Sequence, residues 1–423
     1  DPVCDVVCVL GDDGTLFAKN SDRPPAEAQR AVSFGRRAGG GTVRTQYLEL
    51  RDTGAFATVL SQPTWLWGAE HGLNEHRLAI GNEMVFTVDD PRPAPAALIG
   101  MDLVRLGLER AATAEQAVDV MTTLLERHGQ GGIGDQIHGR AYWSSFLIAD
   151  PSSAWVLETS GRRWAARPVT SGAAISNRLT LRQDWTRASA GIIPGTDIDS
   201  WRHPRLPTGF ADIRLTAGEA FVRAAAGSEL DPGAVAAALR DHGTGPWGAP
   251  CGQHRPTDPP PAPASEEVSP DGAGWTLCLH AGETAATTAS MVALLPADPT
   301  VPARAWMALG HPCVSVYVPV PVPAPAAPPP PAPLPAAVTD ASTWARFAAL
   351  AEAVGSDAAR LAAVRARLSV LEDGLWQEAD DLGTDAARWD AFGRRASAGV
   401  TDALDALAAA GLGSGAKVPK NGR

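Results

Sequence analysis

The chain has 423 residues, 45% of them hydrophobic, and a formal net charge of -11, with a pI near 5.3. That length carries one large core plus an accessory region, and an acidic balance without a strongly basic run excludes a nucleic-acid partner, which needs a dense Lys/Arg footprint. No stretch reaches the roughly 18–20 continuous apolar residues of a membrane span and no apolar run follows a charged start, so the expectation is a cytoplasmic protein with no membrane partner.

The five cysteines, Cys4, Cys8, Cys251, Cys278 and Cys313, are odd in number and scattered. This argues against a disulfide framework, and no CxxC pair offers itself to zinc. Most buried thiols are inert packing residues, so each needs its own argument.

In chain order, Val6 to Ala18 reads as a hairpin around the turn Gly11-Asp12-Asp13-Gly14. Short strands are expected over Thr42–Leu50, Ala55–Leu60 and Leu78–Gly81. Residues 97–128 switch to a helical period, with Thr113 and Gln116 as a capping signal and Val118, Met121 and Leu125 on one face. Strand patterns return at Ser145–Ile148, Trp155–Glu158 and Ala173–Ser176, followed by a helical stretch over Thr216–His242. Arg255–Pro270 reads as an exposed loop, and strands resume over Trp275–Leu295 and Ala305–Val318. Such alternating blocks fit layered sheets covered by helices. The Pro/Ala/Val tract 319–338 reads as an extended linker. Trp344, Phe347 and Ala351, then Leu361, Val364, Leu368 and Leu371, keep helical spacing beyond it. The expected division is thus 1–318, a linker 319–338, and a helical segment with a polar tail over 339–423.

The first string with chemistry is Cys4-Asp5-Val6-Val7-Cys8, followed by Lys19-Asn20-Ser21-Asp22-Arg23-Pro24 on the next strand. A thiol with a pKa near 8.5 is mostly protonated at neutral pH and needs a base or a cation beside it. The hairpin supplies polar partners, and a free amine on the same residue would supply a base. A second string runs from Ser61 through Trp67-Gly68-Ala69-Glu70-His71-Gly72-Leu73-Asn74-Glu75-His76 to Ile80-Gly81-Asn82-Glu83. Its HxxxEH spacing fits neither HxxEH nor HExxH, so no metal site is expected there. A third block leads from Ser145 through Trp155 to Ile175-Ser176-Asn177-Arg178, and a fourth holds Thr287-Thr288-Ala289-Ser290-Met291-Val292 and His311-Pro312-Cys313.

These four ordered blocks resemble the secernin and dipeptidase A family of cysteine N-terminal nucleophile hydrolases, related to choloylglycine hydrolases and penicillin V acylases. The resemblance implies a four-layer αββα Ntn-hydrolase sandwich, an α+β fold, with a C-terminal helical appendage. It implies Cys4 as nucleophile, Asn82 as oxyanion donor, Asn177 as a second polar residue beside the thiol, and Asp22 as the group that orients the freed amine. Lys19 stands where the acylase relatives carry Arg, a point charge in place of a planar fork. Asn20, Glu70 and Arg214 are candidate substrate-binding residues, with Arg214 placed least securely, and Asp22 or Glu70 could take a substrate ammonium. The implied activity is hydrolysis of short peptides through a Cys4 thioester with no cofactor. It requires removal of Asp1-Pro2-Val3, because an amide nitrogen is not a base. The alternatives are hydrolysis or acyl transfer on a non-peptide amide, or a noncatalytic binding role. The expected partner is a short peptide or small amide, and a homo-oligomer is left open.

Overall fold

The computed structural model describes residues 3–204, 208–243, 275–282, 284–325 and 332–412, without the side chains of 208–210. Cys251 and the Pro-rich stretch 255–270 lie outside the described residues.

The chain opens with the hairpin β1 (Val3–Gly11) and β2 (Gly14–Arg23), in which Gly11 faces Gly14 and Cys4 faces Ser21. Next come β3 (Gln29–Phe34), β4 (Thr42–Arg44), β5 (Glu49–Arg51), β6 (Thr58–Pro63), β7 (His71–Asn74) and β8 (Ala79–Val85). The single strand expected over 42–50 is a small hairpin instead, because Thr45 N–H donates to Leu48 O at 2.7 Å and turns the chain. Helices α1 (Gly100–Arg110) and α2 (Ala114–His128) follow, and the Thr113 hydroxyl accepts from Gln116 N–H as the capping signal predicts. The middle of the chain supplies β9 (Ile133–Asp135), β10 (Arg140–Ala141), β11 (Trp143–Ala149), β12 (Ala154–Ser160), β13 (Arg163–Val169), β14 (Gly172–Ile175) and β15 (Arg187–Ala188). Then come α3 (Thr208–Ala225), α4 (Pro232–Ala238), β16 (His280–Ala281), β17 (Ala285–Pro296), β18 (Arg304–Leu309) and β19 (Val318–Val320). Residues 275–279, expected as strand, run irregularly into β16. The chain closes with α5 (Ala336–Thr339), α6 (Ala341–Val354), α7 (Ala358–Asp380) and α8 (Ala386–Ala409).

Two antiparallel sheets carry the fold. One runs in the order β14-β1-β2-β17-β18-β19, and the other β15-β13-β12-β11-β8-β7-β6-β3. Alternation along the strands sorts the apolar side chains into three slabs. Val6, Cys8, Phe17 and Met291 of the first sheet meet Val59, Leu73, Ala79 and Leu147 of the second in a shared core. On the far side of the first sheet, Val7, Val9, Leu16 and Val292 pack with Val222 of α3 and Val235 of α4. On the far side of the second, Leu60, Ile80, Phe146 and Leu157 pack with Leu106 of α1 and Met121 of α2. The layers are therefore α/β/β/α.

The C-terminal helices differ from the expected appendage. Ala337, Val338, Phe347, Leu350, Leu368 and Phe392 belong to the inter-sheet core. The Trp344 indole donates to Thr288 O at 3.0 Å, and Trp376 stacks on Trp306 at 4.7 Å while donating to Tyr317 O. Helices α5 and α6 touch both β3 and β18, the flank where the sandwich would otherwise expose its apolar filling. The proline tract also begins inside the fold, since β19 is its first part and Val320 is buried.

Two glycines explain the Trp-Gly-Ala-Glu and Ile-Gly-Asn-Glu strings. A Cβ on Gly68 would lie 2.3 Å from the Met101 carbonyl carbon, because Ala69 N–H donates to Met101 O and draws α1 onto this loop. A Cβ on Gly81 would lie 2.8 Å from Lys19 Cδ, so the two sheets approach closely just where Lys19 crosses between them. Gly68→Ala is expected to destabilise the protein by about 1–3 kcal/mol through overpacking against backbone, measured as a lower urea midpoint at unchanged m value.

Candidate active site

Cys4 sits near the start of β1 and is only 3% exposed. Its side chain shares the inner face of the first sheet with Val6 and Cys8, as period-two alternation requires. Its backbone N–H donates to Asn177 Oδ1 at 2.8 Å. Asp22 N–H reaches Sγ at 3.4 Å, and Sγ lies 3.9 Å from Glu70 Oε2. Burial pushes the thiol well above the usual cysteine range, with Lys19 opposing and Glu83, Glu70 and Asp22 adding to the rise.

Behind Cys4 lies a fully buried guanidinium. Arg214 of α3 donates to Cys4 O at 3.0 Å, to Asp5 Oδ2 at 2.8 Å and to Asn177 Oδ1 at 2.7 Å, and lies 3.8 Å from Asp22 Oδ2. The Asn177 amide donates to Met84 O at 2.9 Å, which fixes its oxygen toward Cys4 and Arg214. Asn177 thus joins β1, the second sheet and α3. The residue placed least securely by sequence proves to be in direct contact with the Cys4 backbone.

On the other side, Lys19 Nζ donates to Asn82 O at 2.6 Å and stands 3.9 Å from Glu70 Oε2. Burial works against its charge, yet Cys4, Glu83 and Glu70 hold its pKa above the usual lysine range. Asn82 turns its amide nitrogen toward Glu70, where O and Oε2 lie at 2.8 and 2.9 Å, since the opposite orientation would set its oxygen against two acceptors. Glu70 Oε1 accepts from Arg23 at 3.0 Å, and Arg23 also donates to Glu27, Gly134 O and the Tyr142 hydroxyl.

Three expectations are altered by this geometry. The Asp22 carboxylate does not hold the Cys4 nitrogen; it accepts from Thr287 Oγ1 at 2.6 Å, and burial, with Asp5 next, pushes its pKa well up. Asn20 faces away from the thiol and donates to Leu239 O and Leu277 O while accepting from Ser290, a bracing role in place of substrate binding. Glu70 is engaged by Arg23, so it is not an open receptor for a substrate ammonium. Around the HxxxEH string, His71 is buried and held neutral by that burial, Glu75 pairs with Arg36, and His76 packs edge-on against Phe56. Among the described residues these three form no metal-binding group.

Sequence reasoning passed over Arg23, Glu83, Tyr142 and Thr287. Arg23 had a readable signal, because Cys4 opposite Ser21 puts Lys19, Ser21 and Arg23 on one face of β2. Glu83 lies on the inner face of β8, its carboxyl driven well above the usual range by burial in spite of Lys19.

A cleft of about 530 Å³ adjoins the cluster through Met84 and Tyr142. Phe86, Val88 and Trp143 supply apolar wall, and His138, Arg140 and His203 supply basic groups. A buried thiol among hydrogen-bonded polar groups, with a cleft whose wall residues Met84 and Tyr142 bond to that cluster, makes a candidate cysteine site. No family model matches the chain. Similar solved structures include a mutant of conjugated bile acid hydrolase from Clostridium perfringens, at 11% identity and TM-score 0.41, covering 72% of this chain and 88% of that one. Penicillin V acylase from Agrobacterium tumefaciens matches at 12% identity and TM-score 0.41, covering 72% and 86%. The Caenorhabditis elegans N-acylethanolamine-hydrolyzing acid amidase ortholog matches at 12% identity and TM-score 0.28, covering 42% and 70%. The layers and the site described above stand on this chain's own contacts. No helix among the described residues is long and apolar enough to cross a membrane.

Because burial raises the Cys4 pKa, thiolate forms only at more alkaline pH than for a free cysteine. With Val3 still attached, the pH profile of Cys4 alkylation by iodoacetamide is expected to have its midpoint above the ordinary value of about 8.5, followed by peptide mass mapping; a midpoint at or below that value contradicts the described environment.

Proposed function

We propose that the chain is a cysteine amidohydrolase acting on short peptides or comparably small amides, with Cys4 as nucleophile. The observation that carries the reading is the Cys4 backbone nitrogen, held at 2.8 Å by Asn177 Oδ1 with Arg214 behind it, beside a thiol whose neighbouring carboxylate oxygen, Glu70 Oε2 at 3.9 Å, is already engaged by Asn82 and Lys19. A nitrogen fixed so firmly next to its own sulfur is the one atom that becomes a base if the preceding peptide bond is cut.

Maturation follows from that need. Cys4 Sγ attacks the Val3 carbonyl carbon, the Val3–Cys4 amide bond breaks, and the Cys4 nitrogen takes a proton to leave as an amine. Water then cleaves the Val3 thioester and frees the thiol. In the mature site the amine accepts the thiol proton as Sγ attacks a substrate carbonyl. It passes that proton to the departing amine, and then activates water against the acyl thioester. Asn177 orients the amine, while Lys19 supports negative charge on the thiol. Asn82 moves its amide from Glu70 to the oxyanion, an interaction of a type that contributes about 10²–10³ in rate.

The cleft sets the scale of the substrate. Its volume of about 530 Å³ suits a ligand of a few residues, within the range of about 300–1,000 Å³ usual for small-molecule sites. The lining carries Arg92 and Arg140 against the one carboxyl of Asp90, a basic balance that suits a carboxylate-ended amide such as a dipeptide, and the neighbouring Phe86 and Trp143 suit an apolar acyl or side-chain group.

Amine release from a panel of dipeptides and N-acyl amino acids tests this directly. The wild type is expected to cleave at least one member, with Cys4→Ala reducing kcat by at least about 10³-fold. Arg140→Ala is expected to raise KM about tenfold for carboxylate-ended substrates and to leave their amidated counterparts unaffected, a difference of about 1.4 kcal/mol. Panel-wide inactivity of a chain whose N-terminus is Cys4 would return the weight to a noncatalytic binding role.

A further inference from the structure

A second cluster lies outside the Cys4 contacts, where the segments around α4, β16 and residues 312–314 meet. His242 follows α4, Cys278 and His280 flank the start of β16, and Cys313 lies on a short 3₁₀ turn, Pro312–Val314. Their ligand atoms all fall within 4.8 Å of one another. His280 Nε2 stands 3.1 Å from His242 Nε2 and 3.4 Å from each of Cys278 Sγ and Cys313 Sγ. One imidazole nitrogen has a single lone pair or a single N–H, so it cannot form three good hydrogen bonds at once. Three neighbours at such distances are instead what one vertex of a ligand tetrahedron meets. Around a metal bound at about 2.0–2.1 Å by nitrogen and about 2.3 Å by sulfur, tetrahedral edges are about 3.3–3.8 Å long.

We propose that His242, Cys278, His280 and Cys313 form a structural zinc site. Two thiolates and two imidazoles are the donor set that selects a borderline-soft, tetrahedral ion, and four protein ligands leave no open position for substrate. The surrounding structure braces Cys278, His280 and the turn that carries Cys313, as such a site requires. Cys278 N–H donates to Asp241 O, the Thr276 hydroxyl donates to Cys278 O, and Arg240 donates to Pro312 O. The His311 ring stacks on His280 with centroids 4.4 Å apart. His242 and Cys313 lie 38 and 33 residues from His280 in sequence, so one ion joins three distant segments. Binding replaces the thiol protons by zinc and needs no redox partner.

The site reaches the nucleophile through one short path. Leu279 N–H, between the two central ligands, donates to Thr287 Oγ1 at 2.9 Å, and that hydroxyl donates to Asp22 Oδ1. Zinc therefore fixes the stretch that holds the Asp22 carboxylate in place. The inference does not depend on the hydrolase reading, since none of its ligands contacts Cys4.

Zinc content of the full chain, purified without chelator, tests the site, together with cobalt replacement in chelator-stripped protein. One zinc per chain and the visible absorption of a tetrahedral cobalt–thiolate centre are expected. Both should be lost in Cys278→Ser and Cys313→Ser, retained in Cys4→Ala, and accompanied by a lower Tm on stripping. If a serine variant fails to fold, the wild-type zinc ratio and cobalt spectrum decide alone. Wild-type protein that holds no zinc after equilibration with the ion, or non-reducing peptide maps that show Cys278 joined to Cys313 as a disulfide, would overturn the proposal.

Discussion

The site depends on one buried ionic knot, Arg214 with Asp5, Asn177 and the Cys4 backbone. Bringing a guanidinium to zero exposure costs several kcal/mol unless every donor finds an acceptor. Here the Cys4 carbonyl and the Asn177 amide oxygen are among those acceptors, so the solvation demand of an arginine on α3 sets the position of Cys4 on β1. Burial and Arg214 pull the Asp5 carboxyl in opposite directions, and burial prevails, leaving its pKa raised. The knot is therefore a fixed polar anchor in an apolar slab, one that loses much more from removal of a single member than it gains relative to hydrophobic packing.

Polar groups on the two faces of β2 divide the labour. Lys19 and Arg23 reach into the space between the sheets, where they neutralise Glu70 and approach the thiol. Asn20 and Asp22 point to the helix side, where they bond to the stretch around Leu277 and to Thr287. One strand thus faces the Cys4 thiol on one side and the stretch Leu277–Leu279 with Thr287 on the other. The thiol environment is electrostatically mixed: Lys19 favours a thiolate while the nearby carboxyls and the loss of water oppose it.

Much of this was legible in the residues. The Gly11–Gly14 turn set the hairpin register, and from it the face shared by Cys4 and Lys19 follows by alternation. Carried to Asn20, Asp22 and Arg23, the same alternation separates the bracing residues from those beside the thiol. Arg214 is harder, because it stands ahead of the helical stretch expected from Thr216 and its surroundings resemble the family less cleanly, whereas the structure carries it on α3 (Thr208–Ala225) against β1. The C-terminal helices read as separate since the Pro tract resembles a linker, whereas Trp344 and Phe347 are buried against the sandwich flank. The His/Cys cluster was invisible to spacing rules, as only Cys278 and His280 are near each other in sequence and the other two ligands arrive by folding.

The most direct test of the account is the intact mass and N-terminal sequence of the wild type beside Cys4→Ala, both expressed with Asp1-Pro2-Val3 ahead of position 4. The account predicts a wild-type chain that begins at Cys4 and a variant that keeps the three residues. A wild type that retains Val3 and still cleaves amides would contradict it, because the nitrogen held by Asn177 would then be an amide with no basic lone pair.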